Sequence, residues 1–490
     1  MDFDGLCDHR SPLASSRRAF LSQCGAGFGA TAFAAMLGNT LGQSARAGES
    51  SLLAPKATHF PGKAKRVIFC WMQGGASQMD LFDPKPELAK RAGEKVPFRV
   101  ASNKDRIGES AKLLAPVSKL AQAGQSGAWM SEWLPHLSKK VDELAFLKAM
   151  ESDSSAHPGA IRLMQTGSIQ FVRPSLGSWV MYGLGSENEN LPGFVVLSPV
   201  IYGDDGSPLH YGNAFLPAAY QGVRIGQSHI PIKDSRIGYL GDVRSGGDAQ
   251  RKRLDFVQKL NATQVADLGG DRDMEGLIES CELAFKMQAQ APQLFELERE
   301  TKETLALYGI GEGESDNYGR KCLLARRMVE SGVRFVQVTD GGWDHHEGIG
   351  RNLKASCDRV DKPIAGLLTD LRRRGMLEDT LVVWTGEFGR TPYDQDITNG
   401  KGAPETRGRD HNPHCWTLFM AGGGVKPGVA HGATDDFAWE GVEGRVHVHD
   451  LHATMLHLLG LDHTRLTYPY AGRDFRLTDI AGRVVKEILA

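Results

Sequence analysis

Three short stretches hold most of the side chains that could do chemistry together: Asp340-Gly341-Gly342-Trp343-Asp344-His345-His346, Gly386-Glu387-Phe388-Gly389-Arg390 and Gly408-Arg409-Asp410-His411. A histidine standing alone is more commonly a hydrogen-bonded or surface residue than a ligand. Carboxylates and imidazoles in company are the donors that a borderline divalent ion such as zinc or manganese takes. The expectation is a metal centre built from Asp344, His345, His346, Glu387, Asp410 and His411, with Asp80 added from an earlier strand end. The ion would be zinc, manganese or calcium. Arg390 and Arg409 stand beside these groups and could hold an anion bidentately.

The elements that must position these residues are legible around them. Val333 to Val338 is a short apolar run of strand length that breaks into the first polar stretch. A helix from about Leu353 to Arg374 stops at Gly375, and Thr380 to Thr385 reads as the next strand. That is a βαβ unit. Because such crossovers are right-handed and join parallel strands, both polar ends leave the sheet on one edge, where ligands bind in open α/β folds. The third stretch precedes a further strand, Cys415 to Ala421.

Earlier in the chain, Val67 to Met72 has the makeup of a central first strand, and it ends in Gln73-Gly74-Gly75-Ala76-Ser77 before Asp80. Paired glycines there allow either a close backbone approach to a ligand or a plain tight turn. Trp129 to Lys140 reads as a helix and Leu144 to Ala149 as a buried strand. The strand leads through Ser152-Asp153-Ser154-Ser155-Ala156 to His157, at the start of a helix where backbone N–H groups could meet an anion. His157 and Arg390 are the candidate catalytic side chains. Leu176 to Leu184 reads as a helix and Phe194 to Leu197 as a strand.

Charged helical segments around Arg251–Leu260, Glu275–Gln290 and Leu294–Tyr308 suggest a helical insertion over about residues 200–315. Later, His447, His449 and His452 fall within six residues at a helix start, where Asp450 could be a cap instead of part of a metal site. The fold class expected is α/β, a mainly parallel central sheet flanked by helices, in one domain over 60–487.

The first 47 residues read differently. Ser16-Arg17-Arg18-Ala19-Phe20-Leu21 leads into a weakly apolar Gly- and Ala-rich run and then Ala45-Arg46-Ala47, the pattern of a twin-arginine export signal cleaved near Ala47. The protein is therefore expected to meet the twin-arginine export machinery and to end in the periplasm or outside the cell. A formal net charge of -2 with no basic tract points away from nucleic acid. No later apolar run is long enough for a transmembrane span. Of the seven cysteines, the five beyond residue 47 lack the spacing of a disulfide framework.

Leu377-Glu378-Asp379-Thr380-Leu381-Val382-Val383-Trp384-Thr385-Gly386-Glu387 resembles a run of the alkaline-phosphatase superfamily, which includes sulfatases. More closely, Gly74 to Pro86, Ser175 to Trp179, Gly342 to His346, Gly386 to Pro392 and Gly408 to His411 resemble an exported, sulfatase-related family catalogued as domain of unknown function 1501. The resemblance implies an alkaline-phosphatase-like core and a metal-dependent hydrolase acting on a small-molecule or glycan ester of phosphate or sulfate. The alternative is a binding or scaffold protein on the same fold. The sequence also departs from the superfamily. The superfamily's first-strand Asp falls near Gln73, the late ligand pair becomes Glu387-Phe388, and no Cys-x-Pro-x-Arg nucleophile motif occurs.

Overall fold

The computed structural model describes residues 51–98, 111–199, 210–227, 230–235, 247–267, 272–395 and 406–490; the expected export signal lies outside them, as do parts of the expected insertion. Its centre is a nine-stranded mixed sheet. The strands are β1 (Arg66–Met72), β2 (Ala145–Glu151), β3 (Phe194–Leu197), β4 (Val223–Ile225), β5 (Phe335–Asp340), β6 (Thr380–Thr385), β9 (Trp416–Ala421), β10 (Val429–His431) and β11 (Val446–His447). A separate hairpin, β7 (Gly389–Asp394) and β8 (Arg409–Asn412), lies between β6 and β9 in the chain. The sheet order is β10-β2-β9-β6-β1-β5-β3-β4, with β11 paired to β2.

β1 pairs in parallel with both β5 and β6, placing Met72 opposite Asp340 and Trp71 opposite Thr385. β9 is antiparallel to both β6 and β2. β2 therefore runs in the same direction as β6. The carboxyl ends of β2, β6, β1 and β5 and the amino end of β9 all emerge on one edge, and every polar stretch singled out above sits there.

Strand alternation feeds two cores. On one face Ile68, Cys70, Met72, Val336, Val338, Val382 and Trp384 pack with the apolar sides of α5 (Asp316–Glu330) and α6 (Ile349–Arg373). On the other, Val67, Phe69, Trp71, Phe335, Leu381 and Val383 pack with α1 (His157–Thr166), α2 (Leu176–Leu184) and α7 (Val448–Leu458). Helices on both faces explain why these strands read as continuous apolar runs. The helix α6 is amphipathic at a spacing of three and four, burying Leu353, Val360, Ile364, Leu367 and Leu371. Among the described residues no helix is long and apolar enough to cross a membrane.

Two expected helices take other forms. Residues 128–131 pair as a strand with Leu120–Ala123, and Leu137–Glu143 forms a 3₁₀ segment. The turn between the paired strands is held by Asp142, whose carboxylate accepts the N–H groups of Gln125 (2.9 Å) and Ser126 (2.7 Å). The expected insertion carries α3 (Gly247–Asp267) and α4 (Arg272–Phe295). Within 294–308 the last helix is only Lys302–Leu307, because Thr301 starts it afresh by accepting the N–H of Thr304 at 3.1 Å.

Candidate metal centre

The paired glycines after β1 decide how closely the strand-end loops meet. Gly74 has φ 123°, and a Cβ there would lie 2.3 Å from the Asp344 nitrogen; Gly75 has φ 87°, and a Cβ there would strike the Phe388 ring at 2.7 Å. The glycines thus bring the β1 exit against its neighbouring loops, which is a close approach to protein and not to a ligand. The loop after β5 is held in turn by Asp340, which accepts from Trp343 Nε1 (2.9 Å) and Arg359 Nη2 (3.0 Å).

Four side chains converge above this frame. Ligand atoms of His157, Asp344, His346 and His411 all lie within 4.8 Å of one another. Asp344 is central: Oδ1 lies 2.8 Å from His346 Nε2 and 3.1 Å from His411 Nε2, and Oδ2 lies 3.2 Å from His157 Nε2.

The opposite nitrogen of each ring is tied to an oxygen acceptor. His157 Nδ1 meets Glu387 Oε1 at 2.8 Å, His411 Nδ1 meets the Ser155 carbonyl at 2.7 Å, and His346 Nδ1 meets Gln395 Oε1. Each Nδ1 therefore donates, and each Nε2 presents its lone pair inward. His157 Nε2 is buried and makes no aligned hydrogen bond. Three lone pairs facing one carboxylate call for a cation between them, a proton or a metal ion.

Electrostatics agree with that demand. Burial opposes charge on His157, yet the facing carboxylates Asp344 and Glu387 outweigh it and push its pKa up to about 9. Burial also opposes ionisation of Asp344, but the facing rings of His157, His346 and His411 and the charge of Arg390 hold its carboxyl far below the usual range. His411 is pushed down by burial. The group stays open to solvent, since the Asp344 side chain is 40% exposed.

The other expected site residues stand elsewhere. Asp80 is fully buried and holds Arg409, at 2.8 Å from Nε and 3.2 Å from Nη2, while also accepting the N–H of Val117 (2.8 Å) and the Ser77 hydroxyl (2.5 Å). Arg409 also donates from Nη1 to the carbonyl of Thr391 and from Nη2 to those of Leu114 and Ala115. Neither partner of this ion pair faces the cluster's donors. Arg390 is equally buried, donating to the carbonyls of Gly74, Gly75, Trp343 and Arg409 and to Asp344 Oδ1 at 2.6 Å. With every guanidinium nitrogen bonded to protein and both side chains fully buried, neither arginine is open to an anion.

His345 turns the other way, 3.3 Å from the Ser356 hydroxyl, and burial followed by the charge of Arg390 pushes its pKa down to about 3. Asp410 accepts the N–H of its neighbour His411. Glu387 is fully buried behind His157 and also accepts the Gly74 N–H at 2.9 Å. The residues that sequence reasoning missed are Gln395 and the Ser155 carbonyl, whose only signal was nearness to the motifs, and Phe388, which stacks on His411 at 4.4 Å.

Solved structures similar in chain path include the lipoteichoic acid synthase LtaP from Listeria monocytogenes (9% identity, TM-score 0.38, 87% of this chain and 78% of that one). The PsFucS1 sulfatase from Pseudoalteromonas sp. matches at 12% identity and TM-score 0.35, over 81% and 68% of the two chains. The alkaline phosphatase from the Antarctic bacterium TAB5 matches at 10% identity and TM-score 0.32, over 81% and 98%. These are loose likenesses, and no residue of the centre is assigned from them. No curated protein matches the sequence. The family described as a protein of unknown function, DUF1501, matches residues 64–489, and the chain belongs to it.

Proposed function

We propose that the chain is an exported metal-dependent hydrolase of phosphate or sulfate esters, glycan esters among them. The observation that carries this reading is the convergence of three Nε2 atoms and Asp344 on one solvent-open point, with every Nδ1 held by an acceptor. His157, His346, His411 and Asp344 would hold the ion. Three imidazoles and one carboxylate suit zinc or manganese better than calcium, which takes six to eight oxygens. A divalent ion there supplies a Lewis acid for the ester and lowers the pKa of water toward neutrality.

The chain's own residues do the rest. Glu387 and Arg390 orient His157 and Asp344, and the exposed side of Asp344 leaves room for ester and water. The helix begins at His157 directly after Ala156, and no Cys-x-Pro-x-Arg nucleophile motif occurs in the chain, so attack falls to water in this reading. A second reading, a binding or scaffold protein on the same fold, is favoured by one observation: both arginines expected to hold the anion are buried and bonded to protein.

One preparation tests the reading. The full chain is expressed in a bacterial host, recovered from the periplasm, analysed for metal, and assayed against aryl phosphates, phosphodiesters and sulfates. The expected outcome is about one zinc or manganese per chain and hydrolysis that a chelator abolishes. Metal without turnover of any ester would move the assignment to the second reading, and protein free of metal would remove the first. Precursor confined to the cytoplasm would remove the export signal.

A further inference from the structure

We infer that the segment Glu387–Gln395 is the outer frame of the centre, and that Glu387, Arg390 and Gln395 are positioning residues and not ligands, catalysts or anion holders. This rests on the reading of the four-residue cluster as a metal site. One short stretch of chain touches all four of its members. Glu387 Oε1 lies 2.8 Å from His157 Nδ1, the Phe388 ring packs on His411 (4.4 Å) and His157 (4.9 Å), Arg390 Nη2 lies 2.6 Å from Asp344 Oδ1, and Gln395 holds His346 Nδ1.

The geometry also says why these partners cannot be the ligands themselves. The Gly74 N–H reaches both Glu387 oxygens, at 2.9 and 3.1 Å, so the carboxylate is pinned across the β1 exit with its acceptor facing the far side of His157. Fixing Nδ1–H makes Nε2 the donor atom, and a charged acceptor makes that nitrogen more basic than a carbonyl would. Arg390 is anchored by four carbonyls from three segments, so its remaining reach fixes one oxygen of Asp344 and leaves Oδ2 toward His157. The hairpin β7–β8 thereby carries His411 on one strand and the groups that orient the other three side chains on the other strand or immediately beside its ends.

The test uses the full chain and separates orientation from folding. Glu387→Gln keeps the shape and both hydrogen bonds through Oε1 but removes the charge. Zinc affinity, read by competition with a chromophoric chelator, is expected to fall by about 10–100-fold, as for loss of an outer-partner carboxylate. The absorption spectrum of the cobalt-loaded protein should keep its wild-type form, and the metal-free protein should still fold, with an unchanged far-ultraviolet circular-dichroism spectrum. A changed cobalt spectrum would make Glu387 a ligand, and unchanged zinc affinity would make it a bystander; either overturns the inference while leaving the metal site standing. Wild-type protein that binds no zinc would overturn the site itself. Should Glu387→Gln fail to fold, Gln395→Ala at its half-buried position carries the same test through His346, with a similar loss of affinity expected and an unchanged affinity refuting the frame.

Discussion

The chain holds two histidine-rich regions, and proximity in sequence and proximity of donor atoms run opposite ways in them. His447, His449 and His452 sit within six residues, yet their rings point to separate tasks. His447 caps α7, its Nδ1 accepting the N–H of His449 at 3.2 Å while Asp450 accepts the N–H of His447 at 3.1 Å. His449 and His452, one helical turn apart, donate from Nε2 to the carbonyls of Gly167 (3.0 Å) and Met164 (2.8 Å) at the end of α1. They satisfy carbonyls that a helix end leaves free. His157, His346 and His411 come from three remote segments, and their Nε2 atoms meet. What distinguishes a ligand set is the second nitrogen. Where it is tied outward, the first can turn its lone pair on a shared point; in the second region the rings serve separate backbone groups, and among the described residues their ligand atoms do not converge.

The largest expected effect would break this contrast outright. Asp344→Ala, His346→Ala and His411→Ala each remove a donor, so zinc affinity should fall by more than the roughly 10–100-fold that loss of an outer partner costs. Under zinc at 100 times the wild-type Kd these variants should also lose most of the roughly 2.7 kcal/mol by which bound ligand stabilises the fold. His449→Ala, the control from the other region, should bind zinc as wild type does. Calorimetric titration of the four proteins checks this, and a weakened His449→Ala would mean the regions had been assigned the wrong way round.

Much of the scaffold was readable because its strands are apolar runs ended by glycine. The strand Thr380–Thr385, the helix Leu176–Leu184 and the strand Phe194–Leu197 lie where periodicity and terminators put them. The strand expected at 333–338 runs instead from Phe335 to Asp340, since Thr339 and Asp340 continue the ladder to Trp71 and Met72 although their side chains read as loop. Trp129–Lys140 was misread because pairing with Leu120–Ala123 overrode local helix preference.

The site was legible as strand ends but not as side-chain directions. Asp80 and Arg409 looked like a ligand and an anion holder, and they are each other's partner across 329 residues. Adjacent His345 and His346 face opposite ways, and only the tertiary positions of Ser356 and Gln395 decide which of them joins Asp344.

A pH experiment sharpens the account of the other region. Burial pushes the pKa of His452 down to about 3, against 6.5 for an ordinary histidine. Between those values the unfolded chain binds a proton that the folded chain refuses, so stability is fully present above pH 6.5 and declines as pH falls toward 3. The slope is about 1.4 kcal/mol per pH unit. His452→Gln can still donate to the Met164 carbonyl and does not titrate. The stability gap between wild type and this variant, from urea unfolding, should therefore shrink by that slope below pH 6.5. A gap that stays constant down to pH 5 would mean His452 is not the buried neutral group described.

The smallest effect concerns His447, whose ring has two possible employments. Its Nδ1 caps α7, and its Nε2 stands 3.3 Å from Asp153 Oδ2, a pairing that could be mistaken for part of a second metal site. If capping is its role, His447→Ala should cost about 1 kcal/mol, the usual loss for an N-cap, and leave metal content per chain unchanged. His447→Asn should recover most of that loss, because a short side-chain oxygen can accept the same N–H while an Asn amide is a poor substitute for imidazole at a metal. Urea midpoints and elemental analysis of the three proteins separate the roles. Stability following the order His, Asn, Ala with constant metal fits a cap; metal content falling with either substitution would place His447 among ligands and erase the distinction between the two regions.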